Sequence, residues 1–288
     1  MSIFDKFLRI RELGIFSIII IVVIAASIID SRFLTIDSWR AVFLAIPLIL
    51  VMAMGQMMVI ICRHVDISIG SILAFAAITI GFVFIHYPNT SLFMALLITA
   101  SVGTIMGLVN GIIVTRFNVH SIIVTLGTLS LYRGLVFIVS GGRQIDRNDI
   151  PVHIISFSQT SFLFSIPAIL ILSVIIVLIT HLIMRHSVLG REIYATGSNP
   201  EAAHLKGINV TKVTLFCFGV CGMLAGVAGL FYASRFGYVN PGVTGVGIEF
   251  IVIAGVIIGG TSITGGSGSV LGLSLIHISE PTRLGMIS

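Results

Sequence analysis

The chain has 288 residues, 57% of them hydrophobic and 9% charged, with a net charge of +5 and a mean hydropathy of +1.15. Soluble globular proteins carry about 25% charged residues, so this composition excludes a water-soluble enzyme, a disordered chain and a secreted disulfide scaffold. At about 20 apolar residues per crossing there is room for roughly eight to ten membrane spans, and the small basic excess fits loops on one side of a bilayer rather than nucleic-acid binding.

In chain order, Met1 to Leu13 carries Asp5, Lys6, Arg9, Arg11 and Glu12, and Gly14 to Ile29 then runs without a charge. No A-x-A cleavage pattern follows and further spans do, so this start reads as an uncleaved first helix. Spans are predicted near 14–30, 41–62, 67–86, 91–115, 120–139, 162–183, 212–234 and 246–262. The fifth and eighth are the least span-like, because they contain Arg133 and Glu249. With the N-terminus in the cytoplasm, nine basic residues from Lys6 to Lys212 fall on inside segments. Four (Arg32, Arg40, Arg143 and Arg147) fall on outside loops. The excess satisfies the positive-inside rule and puts the polar stretch 184–211 inside. Gly103, Gly107 and Gly111, and Gly222, Gly226 and Gly229, are spaced for close helix contact in lipid. Cys62, Cys217 and Cys221 lie in apolar runs and read as small packing residues.

The common chemical signatures are absent. A P-loop needs a Gly-Lys-Ser/Thr run to hold phosphates, yet the three lysines, Lys6, Lys206 and Lys212, all lack a preceding glycine. There is no H-E-x-x-H, G-x-S-x-G or G-x-G-x-x-G, so no catalytic residue, metal site or cofactor is expected in this chain. Asp66 opens the third span beside Ser68, where either residue could cap the helix. For Arg133 and Glu249, a structural partner within the bundle and a place on a transport path are equally open.

The most informative stretch is Gly190 to Asn209. Asn199 or Ser198 can cap a helix, Pro200 suits its first position, and Glu201 suits the positive end of its dipole. Ala202, Ala203, His204 and Leu205 continue that helix, and Gly207 can end it. A short capped helix exposing Ala202, Ala203 and Leu205 at a polar surface reads as a docking knob.

This segment resembles the coupling helix of ABC importer permeases, the E-A-A-x3-G loop, with Glu201, Ala202, Ala203 and Gly207 in matching places. The rest of residues 10–272 is similar to the ribose/xylose/arabinose/rhamnose-type permeases of the branched-chain amino acid/sugar permease family. The matching residues are Asp66-Ile-Ser-Ile-Gly70 after Arg63-His64, Gly107-Leu-Val-Asn-Gly111, Thr125-Leu-Gly-Thr-Leu129 and Tyr132-Arg133-Gly134. They continue through Gly190-Arg191, Gly245-Val-Gly-Ile-Glu249, Gly259-Gly-Thr-Ser262 and Gly265-Gly266.

The resemblance implies an all-α polytopic transmembrane bundle, with about eight spans present of an expected nine or ten. It also implies a permease domain over 1–272 in the cell inner membrane. Its partners would be a second permease subunit, a periplasmic or lipid-anchored sugar-binding protein, and a cytoplasmic ATPase seated on 199–207. The cargo would be a pentose, a deoxyhexose or a furanose signal. Candidate path residues are Tyr132, Arg133, Glu249 and Asp66, since a sugar needs hydrogen-bonding groups; Gln56, Asn110 and Thr244 are open alternatives. The alternative function is a secondary sugar carrier that needs no ATPase. Past Gly272 the chain departs from the family, and Leu275 to Arg283 looks like a translated library adapter, so 273–288 is expected to be an artefactual tail on a chain that is naturally longer.

Overall fold

The computed structural model describes residues 23–24, 27–28, 35–160 and 166–270. The predicted span 14–30 therefore lies almost wholly outside the described residues, and the tail 273–288 lies wholly outside them. What is described is helical, with ten α-helices and one 3-10 turn. The first, α1 (Ile36–Ile61), starts where the Thr35 side chain accepts the Ser38 amide at 3.4 Å, and it contains Pro47. Then come α2 (Ile69–His86), α3 (Leu92–Phe117) and α4 (Ser121–Ser140). The Ser91 side chain caps α3, and the left-handed Asn118 ends it.

A 3-10 turn at Arg147–Asp149 and the short α5 (Val152–Gln159) lead to α6 (Ala168–His186). Next are α7 (Val188–Ser198), α8 (Pro200–Leu205), α9 (Val210–Phe236) and α10 (Ile248–Ile258). Among the described residues, six helices (α1, α2, α3, α4, α6 and α9) are long and apolar enough to cross a membrane. The bundle is all-α and polytopic, as the hydropathy pattern predicts.

The eighth predicted span is different. In place of a crossing over 246–262 there is the 11-residue α10, about 16 Å long at 1.5 Å per residue. The glycines around it set the limit. Gly245 (φ +78°) and Gly247 (φ +79°) occupy the left-handed region before it, and Gly260 (φ +88°) does so after it. The α5 segment has no counterpart among the predicted elements. It lies against the end of α9, where Ser158 Oγ donates to the Ser234 carbonyl at 2.8 Å.

Helix α9 is the hub. Its glycines meet those of α3 so closely that a β-carbon on Gly222 would strike the Gly103 carbonyl, and one on Gly103 would strike the Gly222 carbonyl. Gly107 likewise faces the Phe218 carbonyl, and Gly226 faces that of Thr99. On its other sides α9 touches α1, where a β-carbon on Gly55 would sit 2.6 Å from Cys221 Cα, and α2, where one on Gly229 would sit 2.6 Å from the Leu73 carbonyl. Helices α1 and α9 are mostly buried, whereas α3, α4 and α6 turn most of their surface outward. Side chains such as Ile105, Ile123 and Leu178 are exposed there, as a lipid-facing surface requires. The cysteines are free and buried inside this core.

Adding an isopropyl group at the seam should force α3 and α9 apart. Gly222→Val is expected to destabilise the bundle by about 1–3 kcal/mol or more, the scale of overpacking in a well-filled core. The check is detergent unfolding of the purified protein, with Gly134→Ala, at a glycine with open space around it, as the near-neutral control.

Candidate functional site

Between α1 and α2 the chain breaks helix for seven residues, 62–68, and turns back into the bundle. Asp66 sits in that break with no exposed surface. Its Oδ1 accepts the Ser68 amide at 2.9 Å and the Ser68 hydroxyl at 2.7 Å. From α3, Asn110 Nδ2 approaches its two carboxyl oxygens at 3.4 and 3.3 Å and donates to Ser68 Oγ at 2.8 Å. The Tyr132 hydroxyl of α4 lies 2.9 Å from the Met106 carbonyl and 3.1 Å from Asn110 Oδ1, and shares its single proton between them. With the Gln56 amide oriented to satisfy its neighbours, its nitrogen donates to the Asp66 carbonyl and its oxygen accepts the Asp66 amide, both at 3.2 Å. Groups from α1, α3, α4 and the start of α2 thus gather around Asp66, with Ser68 and Asn110 on its carboxyl, Gln56 on its backbone and Tyr132 on Asn110, and these buried polar groups satisfy one another.

This arrangement corrects the capping role expected of Asp66 or Ser68. Ser68 occupies the N-cap position of α2 without a side-chain bond to the helix. Its hydroxyl is instead spent on Asp66. The α2 N-terminus is enclosed within the bundle, so a buried acid competes for the group that would cap it in water.

A second cluster lies beside the first. Arg133, next to Tyr132 on α4 but directed the other way, donates to the Thr244 carbonyl at 2.7 Å. That contact fixes the irregular segment 237–247 that dips between α9 and α10. At its end Glu249, 7% exposed, stands in the first turn of α10 and closes on Gly70 of α2 together with the Gly245 carbonyl. Arg133 is within electrostatic reach of Glu249. The four residues singled out in the sequence therefore fall into two groups, Asp66 with Tyr132 and Arg133 with Glu249, on either side of the start of α2. Gln56, Ser68 and Asn110 complete the first group. Asn110 carried a hint, an amide inside the Gly107–Gly111 packing stretch, but nothing in its spacing names Asp66 as its partner.

The 199–207 segment forms a separate feature on the surface. Asn199 Oδ1 accepts the Ala202 amide at 3.0 Å, Pro200 takes the first position of α8, and Gly207 (φ +83°) follows its end. Leu205 is 87% exposed, while Ala203 is 3% exposed. The expected exposure of Ala203 is thus corrected: it faces inward, with the Ile208 amide donating to its carbonyl at 3.1 Å. Ala202 and Leu205 face out. Pro200, Glu201, His204, Leu205 and Val210 line a shallow apolar groove.

His64, in the break just before Asp66, packs against Phe218 with ring centroids 5.9 Å apart. Burial pushes its pKa down to about 4, and the nearby His120 adds a smaller push in the same direction. A neutral imidazole is therefore built into the fold. In the unfolded chain it would titrate near 6.5, so stability is full above that pH and is lost as pH falls from about 6.5 towards about 4. His64→Phe should flatten that part of the pH–stability profile, measured by thermal unfolding at pH 7.5 and 5.

Comparison with known proteins adds identity to this geometry. Residues 39–283 match the family model described as "Branched-chain amino acid transport system / permease component". The autoinducer 2 import system permease protein LsrC of Yersinia pseudotuberculosis serotype O:3 (strain YPIII) is 34% identical over 248 residues, covering 86% of this chain and 69% of that protein. The LsrC of Yersinia enterocolitica serotype O:8 / biotype 1B is also 34% identical over 248 residues, covering 86% of this chain and 67% of its own. No solved structure matches. A helical bundle whose described residues include six helices long and apolar enough to cross a membrane, matched over most of its length by this family, belongs to it: the chain is a multi-pass membrane permease of the branched-chain amino acid transport system permease family.

Proposed function

We propose that this chain is the membrane-spanning subunit of an ATP-binding-cassette importer that moves a monosaccharide into the cytoplasm, with ATP hydrolysed by a separate chain. The observation that carries the proposal is α8. Six residues long, it is capped by Asn199, opened by Pro200 and followed, after Lys206, by the left-handed Gly207, and it presents Leu205 and Glu201 beside an apolar groove. Leu205 and the apolar groove beside it together form a capped, outward-facing apolar surface that a partner can cover. A cytoplasmic ATPase is the partner that fits, a binding protein would deliver cargo at the other face, and a second permease copy or sister chain would complete the pore.

The names of the relatives bring autoinducer 2 forward as the cargo, within the range of small sugar-like molecules that the family resemblance implies. The polar groups facing the start of α2 supply amide, hydroxyl, carboxyl and guanidinium partners of the sort such a molecule needs. They hold one another rather than an open pocket, which suits a permease that passes its cargo on instead of retaining it. Asp66 also favours a second reading. A fully buried acid among crossing helices is what a proton-coupled carrier would use, and such a carrier would need no ATPase.

Reversing the charge with Glu201→Lys, or deleting 199–207, should bring ATP-coupled uptake to background while membrane insertion persists. The check is labelled-cargo uptake by cells alongside the amount of permease in the membrane fraction. Normal uptake in either variant would remove α8 as the ATPase contact.

A further inference from the structure

Three stretches of backbone meet below Asp66 with almost no side chain between them. They are the end of α1, the end of α7 just before α8, and the glycine loop after α10. A β-carbon on Gly197 would strike the Ile61 carbonyl, and the Gly266 amide donates to that same carbonyl at 2.9 Å. Arg63 ties the three together. Its backbone is left-handed at φ +67°, a conformation that residues with a β-carbon avoid. In that conformation its Nε donates to the Gly197 carbonyl at 2.6 Å and its Nη2 to the Ser198 carbonyl at 2.5 Å. The fork of a guanidinium can hold two carbonyls at once, which a lysine cannot do with the same geometry. Ser198 adjoins the Asn199 cap of α8, and Arg63 stands three residues before Asp66.

We propose that Arg63 is the positioning residue that passes movement of α8 to the buried Asp66 cluster. This rests on the reading of α8 as the ATPase contact. The strained backbone and the two short bonds make the connection stiff. A displacement of α8 pulls the carbonyls of residues 197 and 198, these carry Arg63, and Arg63 shifts the short segment bearing Asp66 and Ser68. Asn110 and Tyr132 then lose or regain their partners, which loosens or closes the junction of α2, α3 and α4. The apolar groove touches the ATPase; Arg63 touches neither ATPase nor cargo and works only through what it holds.

The test uses the permease assembled with its ATPase in inverted membrane vesicles, with Cys62 and Cys217 replaced by alanine so that Cys221 is the only thiol in the chain. Cys221 Sγ lies 3.5 Å from the amide of Gln56 and so reports on the cluster. Its rate of reaction with N-ethylmaleimide is compared without nucleotide and after trapping with ATP and vanadate. With Arg63 present the two rates should differ several-fold. In Arg63→Gln nucleotide is still trapped but the two rates converge, and Arg63→Lys, which keeps the positive charge but not the two-nitrogen fork, restores part of the difference. An Arg63→Gln complex that responds like the parent overturns the proposal, and so does one that no longer assembles or traps nucleotide, since Arg63 would then only hold α8 in place. A parent complex that traps nucleotide without any change at Cys221 also overturns the relay. A parent that traps none overturns the ATPase reading itself, whatever Arg63 does.

Discussion

In a bilayer an apolar side chain gains nothing by leaving lipid for another helix, so association has to come from close packing and from polar groups that need each other. The α3–α9 seam supplies the first. With Gly103 and Gly107 on one side and Gly222 and Gly226 on the other, the two backbones come within reach of each other's carbonyls. That depth of contact brings Asn110, one turn beyond Gly107, to the level of Asp66. It also lets α9 touch α1 at Gly55 and α2 at Leu73 from its other faces. The remaining helices are arranged around a position that glycine makes available and that no larger residue could occupy.

The second requirement shapes the interior. Wherever helix stops inside the packed bundle, the freed backbone and buried polar side chains must be satisfied by protein. Residues 62–68 meet this through Asp66, Ser68, Asn110 and Gln56. Residues 237–247 meet it partly through Arg133, which takes the Thr244 carbonyl. Both interruptions end at the start of a helix, α2 or α10, and they approach each other where Gly70 meets Gly245 and Glu249.

The long helices were legible in the sequence because uninterrupted apolar runs of about 20 residues have few other fates. So was α8, whose cap, opening proline, acidic first turn and closing glycine are local signals within nine residues. The half-length α10 has the composition of a span, and only the left-handed glycines on each side shorten it. Eight-residue α5 leaves too short a pattern to stand out from a loop. The partners within the site were hidden for a different reason. Asp66 and Asn110 are 44 residues apart, and Arg63 and Gly197 are 134 apart, so their meeting depends on helix registers set by the glycine seam. Nothing local in the sequence distinguishes Arg63 from the other basic residues near span ends.

The exposed α8, the clamp above it and the buried cluster beyond form a line from a surface to the interior, and this line has a purpose only if force arrives at the surface. The most direct measurement is accumulation of labelled autoinducer 2 in proteoliposomes holding the permease, its ATPase and its binding protein, with either ATP on the α8 side or a proton gradient alone. Accumulation with ATP and none with the gradient is the predicted result. Accumulation driven by the gradient in the absence of ATP would contradict the account and make Asp66 the site of coupling instead.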